Sequence, residues 1–86
     1  MPTFLDTHSG TELPSELRRM VEARVKSGEK DSFGVVDRGI IIDREGNEMH
    51  CLLDAPDANA IVKHHEALKV PLARETIHRA DTTSLR

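Results

Sequence analysis

The middle of the chain constrains its fold most. Phe33-Gly34-Val35-Val36-Asp37-Arg38-Gly39-Ile40-Ile41-Ile42 is rich in β-branched residues and holds no proline, so it predicts a strand. Asp43-Arg44-Glu45-Gly46-Asn47 is turn chemistry, and Glu48-Met49-His50-Cys51-Leu52-Leu53 then returns as the other half of an antiparallel hairpin. By strict alternation Val35 and Ile41 share one side, with Val36, Ile40 and Ile42 on the other; Met49 and Leu53 likewise oppose Leu52. Both faces of such a hairpin want cover.

The flanks supply it. Before the hairpin, Leu17, Met20, Val21 and Val25 recur at spacings of three and four, with Pro14 suited to a first turn and Gly28 to a stop, which predicts an amphipathic helix over Pro14–Ser27. Thr3 to His8 reads as a short strand, with Phe4, Asp6 and His8 on one side, and Ser9-Gly10 ends it. After the hairpin, Pro56 blocks further pairing and Asp57 is a natural N-cap for a second helix, Ala58–Leu68. Val70-Pro71 breaks that helix, Glu75–Arg79 predicts a last strand, and 81–86 is too polar to order itself.

The order β, α, β, β, α, β is the split βαβ pattern. The predicted fold class is therefore α+β, ferredoxin-like: a four-stranded antiparallel sheet, its first and third strands central, with two helices on one face. The helical crossovers have the length that a parallel neighbour requires. One domain, 1–80, with a flexible tail accounts for all 86 residues.

Composition narrows the function. With 12 Lys and Arg against 15 Asp and Glu the net charge is −3, and the basic residues form no stripe, which disfavours nucleic acid. The chain has two Phe, no Tyr and no Trp, so the core must be aliphatic, and a second copy would relieve its shortage of buried surface. A lone cysteine, Cys51, excludes disulfides and paired-cysteine zinc motifs and leans towards the cytoplasm. Apolar runs no longer than Ile40-Ile41-Ile42, and a first segment without a charged or apolar leader pattern, argue against a signal peptide or membrane span. Gly34 and Gly39 make no phosphate loop, and no serine sits in a nucleophile-elbow frame.

Three residues carry candidate chemistry. At about 100° per residue His65 falls inside the apolar stripe of Ala58, Ile61, Val62 and Leu68, so it points inward, whereas His64 lies about 100° to one side and reads as a solvated or rim histidine. Cys51 is mid-strand beneath the same helix, and His8, with Asp6 two residues before it, ends the adjacent strand. Thiolate and imidazole are ligands that borderline transition metals prefer, so His8, Cys51 and His65 form a candidate metal site. The commoner role of each alone is a hydrogen-bonded core histidine or a small buried hydrophobe. Arg24 reads as a snorkelling side chain, with a buried pair to Asp6 as its alternative, and Glu29-Lys30-Asp31 reads as solvated connector.

The N-terminal Met-Pro-Thr-Phe-Leu-Asp-Thr-His, Phe33-Gly34-Val35, the run from His50-Cys51 through Pro56 to Ala58, and Lys63-His64-His65-Glu66 together resemble the small bacterial family catalogued as domain of unknown function 4242, also called the nickel-binding protein family. The likeness extends to about Ala80 and is most specific from Cys51 to His65, 14 residues apart. It implies a ferredoxin-like domain, commonly dimeric, with nickel or another divalent transition metal as cofactor and no established reaction, and it places His8, Cys51 and His65 on the family's histidine, cysteine and histidine. Many relatives carry a further histidine and a glycine where this chain has Lys69-Val70, and the last strand reads Thr76-Ile77-His78-Arg79 rather than acidic and apolar.

The expectation is thus a cytoplasmic, homodimeric metal-binding protein, dimerised through the helix-free sheet face. The alternatives are a small enzyme using Cys51 as nucleophile or His65 as general base, and a structural module without a metal.

Overall fold

A computed structural model of the chain describes residues 1–81. Its elements are β1 (Thr3–Ser9), α1 (Ser15–Ser27), β2 (Val36–Asp43), β3 (Glu48–Asp54), α2 (Ala58–Ala67), a single 3-10 turn (Arg74–Thr76) and β4 (His78–Ala80). The strands form one antiparallel sheet in the order β2-β3-β1-β4, so the first and third strands are central and the fold is the α+β, ferredoxin-like one. Each helical crossover joins strands that run the same way but are not neighbours. An antiparallel strand lies between them, which corrects the parallel-neighbour expectation. Of the tail 81–86, all but Asp81 lies outside the described residues.

Local chemistry explains the boundaries. Pro14 stands just before α1, and Gly28, at φ +67°, closes it with its N–H on Arg24 O at 3.0 Å. α2 starts where Asp57 Oδ1 accepts from Ala60 N at 2.9 Å. It ends with Lys69 at φ +57° and Val70 N donating to His65 O at 3.0 Å.

Two boundaries differ from expectation. β2 begins at Val36 rather than Phe33, because Asp31 Oδ1 accepts from both Phe33 N and Val35 N and folds that stretch into a turn, with Gly34 at φ +83°. The last strand is short because Thr76 N and Thr76 Oγ1 both donate to Ala73 O, winding Arg74–Thr76 into the 3-10 turn before pairing can start.

The β2–β3 register shifts between Asp37 and Gly39, a bulge at Arg38. Strict alternation therefore fails there. Val35 and Asp37 face the helices, and so do Ile40 and Ile42, opposite Cys51 and Met49; Val36 and Ile41 face away.

The core of Val35, Leu53, Ala55, Ala60 and Ile61, with Phe4, Phe33 and Ile77 packed against it, lies between the sheet and α2. α1 covers the same face over β2 but buries none of its residues. An open cleft separates it from α2 and the sheet, and the candidate site lies in that cleft.

Candidate metal centre

Register places the donors. In the β1–β3 pairing Asp6 stands opposite Cys51, Phe4 opposite Leu53 and His8 opposite Met49, so Asp6, His8 and Cys51 share the helix-facing side. α2 lowers His65 onto them: its ring stacks on His8 at 5.1 Å between centroids, with Nε2 3.4 Å from Asp6 Oδ2. One donor atom from each of Asp6, His8, Cys51 and His65 lies within 4.8 Å of the other three, so the structure brings together all three residues singled out by the sequence and adds a carboxylate. Such a group can hold a metal ion.

The histidines are turned for that task by the backbone. His65 Nδ1 lies 2.8 Å from Ile61 O and His8 Nδ1 3.2 Å from Pro71 O. A carbonyl only accepts, so each Nδ1 carries a proton and each neutral ring offers its Nε2 lone pair to the cluster. Asp6 is wholly buried, and neither of its oxygens has a directed hydrogen bond; His8 Nε2 lacks one too, although it lies 2.7 Å from Asp6 Oδ1. Buried polar atoms left in this way cost about 1–3 kcal/mol each; a protonated His8 ring offsets that at Asp6 Oδ1, and a cation among them would remove it for both carboxylate oxygens. The donor set fits a transition ion on this observation.

The Asp6 carboxylate raises the pKa of His8 above 6.5, whereas burial lowers that of His65, against the pull of Asp6. Burial, then the neighbouring Asp6 and Asp37 carboxylates, push the Cys51 thiol far above its ordinary value. Cys51 is therefore a neutral thiol at physiological pH and a poor nucleophile until something displaces its proton.

His64 is not a rim residue. It is 3% exposed, with Nδ1 2.6 Å from Asp31 Oδ2 and Nε2 3.3 Å from Asp37 Oδ1, and it meets the His65 ring edge-on at 5.4 Å. Helix periodicity gives its direction relative to the sheet, but not the 31–35 turn that wraps the helix flank. Asp31 is correspondingly no solvated connector: it joins that turn to α2. Burial opposes charge on His64, but its bonds to Asp37 and Asp31 prevail and hold its pKa above 6.5. The signal available in the sequence was an Asp three residues before a glycine, an Asx-type turn motif.

Other singled-out residues lie elsewhere. Arg24 is half-buried on α1 and makes no ion pair with Asp6 among the described residues, whose close partners are His8 and His65. Lys69 lines the cleft, and His78 is exposed on the opposite face, across from Leu5. A second group, Asp43, Glu48 and His50, lies on that opposite face, but Asp43 already accepts from Gly46 N and His50 Nδ1 is hydrogen-bonded with Thr7 Oγ1 at 2.9 Å. No helix among the described residues is long and apolar enough to cross a membrane. No family model, curated protein or solved structure matches the chain.

Proposed function

We propose that the protein binds a divalent transition metal, nickel or a similar ion, through His8, Cys51 and His65 with Asp6 as a fourth donor. One observation carries this reading: two imidazoles locked by backbone carbonyls aim their Nε2 atoms at a fully buried carboxylate with no directed hydrogen bond, beside a thiol. An apolar core does not create such an arrangement by default, because each unpaired atom costs stability. The resemblance to the nickel-binding family of domain of unknown function 4242 points to the same ion. Mixed nitrogen, sulfur and oxygen donors suit nickel, zinc and copper, whereas calcium and magnesium prefer oxygen alone.

Storage or sensing of the ion in the cytoplasm, by a homodimer, completes the proposal. Leu5, Val36, Leu52 and Ile41 on the helix-free face would supply the dimer contact, Ile41 being 54% exposed. An enzyme with Cys51 as nucleophile is the weaker reading, since burial and two carboxylates hold its thiol protonated. Elemental analysis of protein purified without a polyhistidine tag tests the proposal. About one equivalent of nickel, zinc or copper per chain supports it, and metal-free protein that also fails to take up added Ni²⁺ overturns it.

A further inference from the structure

The metal centre needs four side chains, and the structure builds much more around it. A cleft of about 750 Å³ lies between α1, the sheet and the segment after α2, within the size range of small-molecule sites. Its walls are largely apolar: Leu13, just before α1, and Leu17 and Val21 on one side of that helix line it with Ile40 and Met49 of the sheet and Leu68 at the end of α2. His8, Cys51 and His65 line the same cleft, while Asp6, fully buried, lies behind them. Glu12, Asp37 and His64 also line the cleft, but none of them joins the four-donor group among the described residues, and Asp37 and His64 are paired with each other at 3.3 Å. A second, smaller space of 310 Å³ opens on the other flank of α1. A helix of 13 residues normally takes its stability from packing an apolar stripe, yet α1 buries none of its residues.

We propose that this cleft binds a small organic molecule with an apolar body and an oxygen-donor head, the head ligating the ion held by Asp6, His8, Cys51 and His65. The inference rests on the metal reading and adds the class of ligand. A neutral or singly charged oxygen suits the charge balance, because the Asp6 carboxylate and a Cys51 thiolate already neutralise a dication, and the lining carries two carboxylates, Glu12 and Asp37, against one Lys, Lys69. An apolar side chain from a second copy could cover the walls but would leave the ion's cleft side without a donor. The body would pack under Leu17 and Val21, completing the burial that α1 lacks.

The test uses the full chain loaded with Co²⁺, whose visible spectrum reports its ligands. Octanoate and acetate are titrated separately, and metal uptake is measured first, without either. Moving one methylene from water to an apolar site is worth about fourfold in affinity, so octanoate should perturb the cobalt spectrum at concentrations at least about a hundredfold below acetate. Val21→Lys, at a half-buried position outside the donor set, should retain cobalt affinity and the helical signal but bring octanoate close to acetate. Equal affinity for the two acids, or unchanged octanoate affinity in the variant, overturns the inference and leaves the metal reading intact. A chain that takes up no cobalt, nickel or zinc overturns both.

Discussion

Replacing His64 tests whether a buried cation joins the 31–35 turn to α2. The ring is 3% exposed and lies between Asp31 at 2.6 Å and Asp37 at 3.3 Å, with His65 the other titratable group against it. His64→Ala leaves Asp37, itself 8% exposed, without its cationic partner. Breaking a buried pair by removing one member costs roughly 3–5 kcal/mol. Asp31 keeps its two bonds from Phe33 N and Val35 N, so the low end applies, about 3 kcal/mol. Against a total near 4–13 kcal/mol, scaled as roughly 0.05–0.15 kcal/mol per residue, that is a large fraction. The sign with pH follows from the pKa shifts. His64 is raised above 6.5, so its contribution is complete below that pH and fades as pH rises through its folded pKa; Asp31 is lowered from 3.8, so its contribution holds above that value and is lost in acid. The difference between wild type and His64→Ala should thus be larger at pH 6 than at pH 9. Urea unfolding followed by circular dichroism, in chelator, measures it, because a chain without Trp or Tyr gives no useful fluorescence. A loss below about 1 kcal/mol, typical of exposed pairs, or a loss unchanged between the two pH values, refutes the reasoning.

Three further outcomes follow. Asp57→Ala removes the acceptor for Ala60 N and should lower stability by about 1 kcal/mol, read from the same urea curves. If the helix-free face forms a homodimer, sedimentation at tens of micromolar, roughly the range of weak association, should show twice 9.6 kDa, and Ile41→Lys should return it to the monomer. Metal affinity should climb with pH by about ten- to hundredfold per unit near neutrality, because the Cys51 thiol, and in part His8, must each release a proton; pH-indicator titration counts the protons.

Much of this was legible in the sequence because it rests on period. The period of two put Asp6 beside His8 on one side of β1, and the helical period aimed His65 inward. The relative parity of the two central strands was not legible, since it depends on the register Asp6 opposite Cys51, which no local rule supplies. The Arg38 bulge, one extra residue, moved Ile40 and Ile42 to the side opposite the one that alternation from Val36 implies. His64 was misplaced because its cover comes from a turn more than 30 residues away in sequence, made by one Asp side chain. The short β4 was hidden likewise in the bonds of Thr76 to Ala73.

The central claim is that Asp6, His8, Cys51 and His65 hold a transition ion, and calorimetric titration with Ni²⁺ tests it most directly. Wild-type protein should bind one ion per chain and, at a hundredfold excess of free metal over Kd, gain about 2.7 kcal/mol of stability. Cys51→Ser should lose the thiolate-to-metal absorption band. His65→Ala should bind more than about a hundredfold more weakly or not at all, beyond the roughly 10–100-fold that loss of an orienting neighbour costs. His64→Gln, which keeps a hydrogen-bonding side chain outside the donor set, should bind within a few-fold of wild type. Equal losses from His64→Gln and His65→Ala, or an unchanged titration in Cys51→Ser, would contradict the account and return these residues to the role of ordinary core side chains.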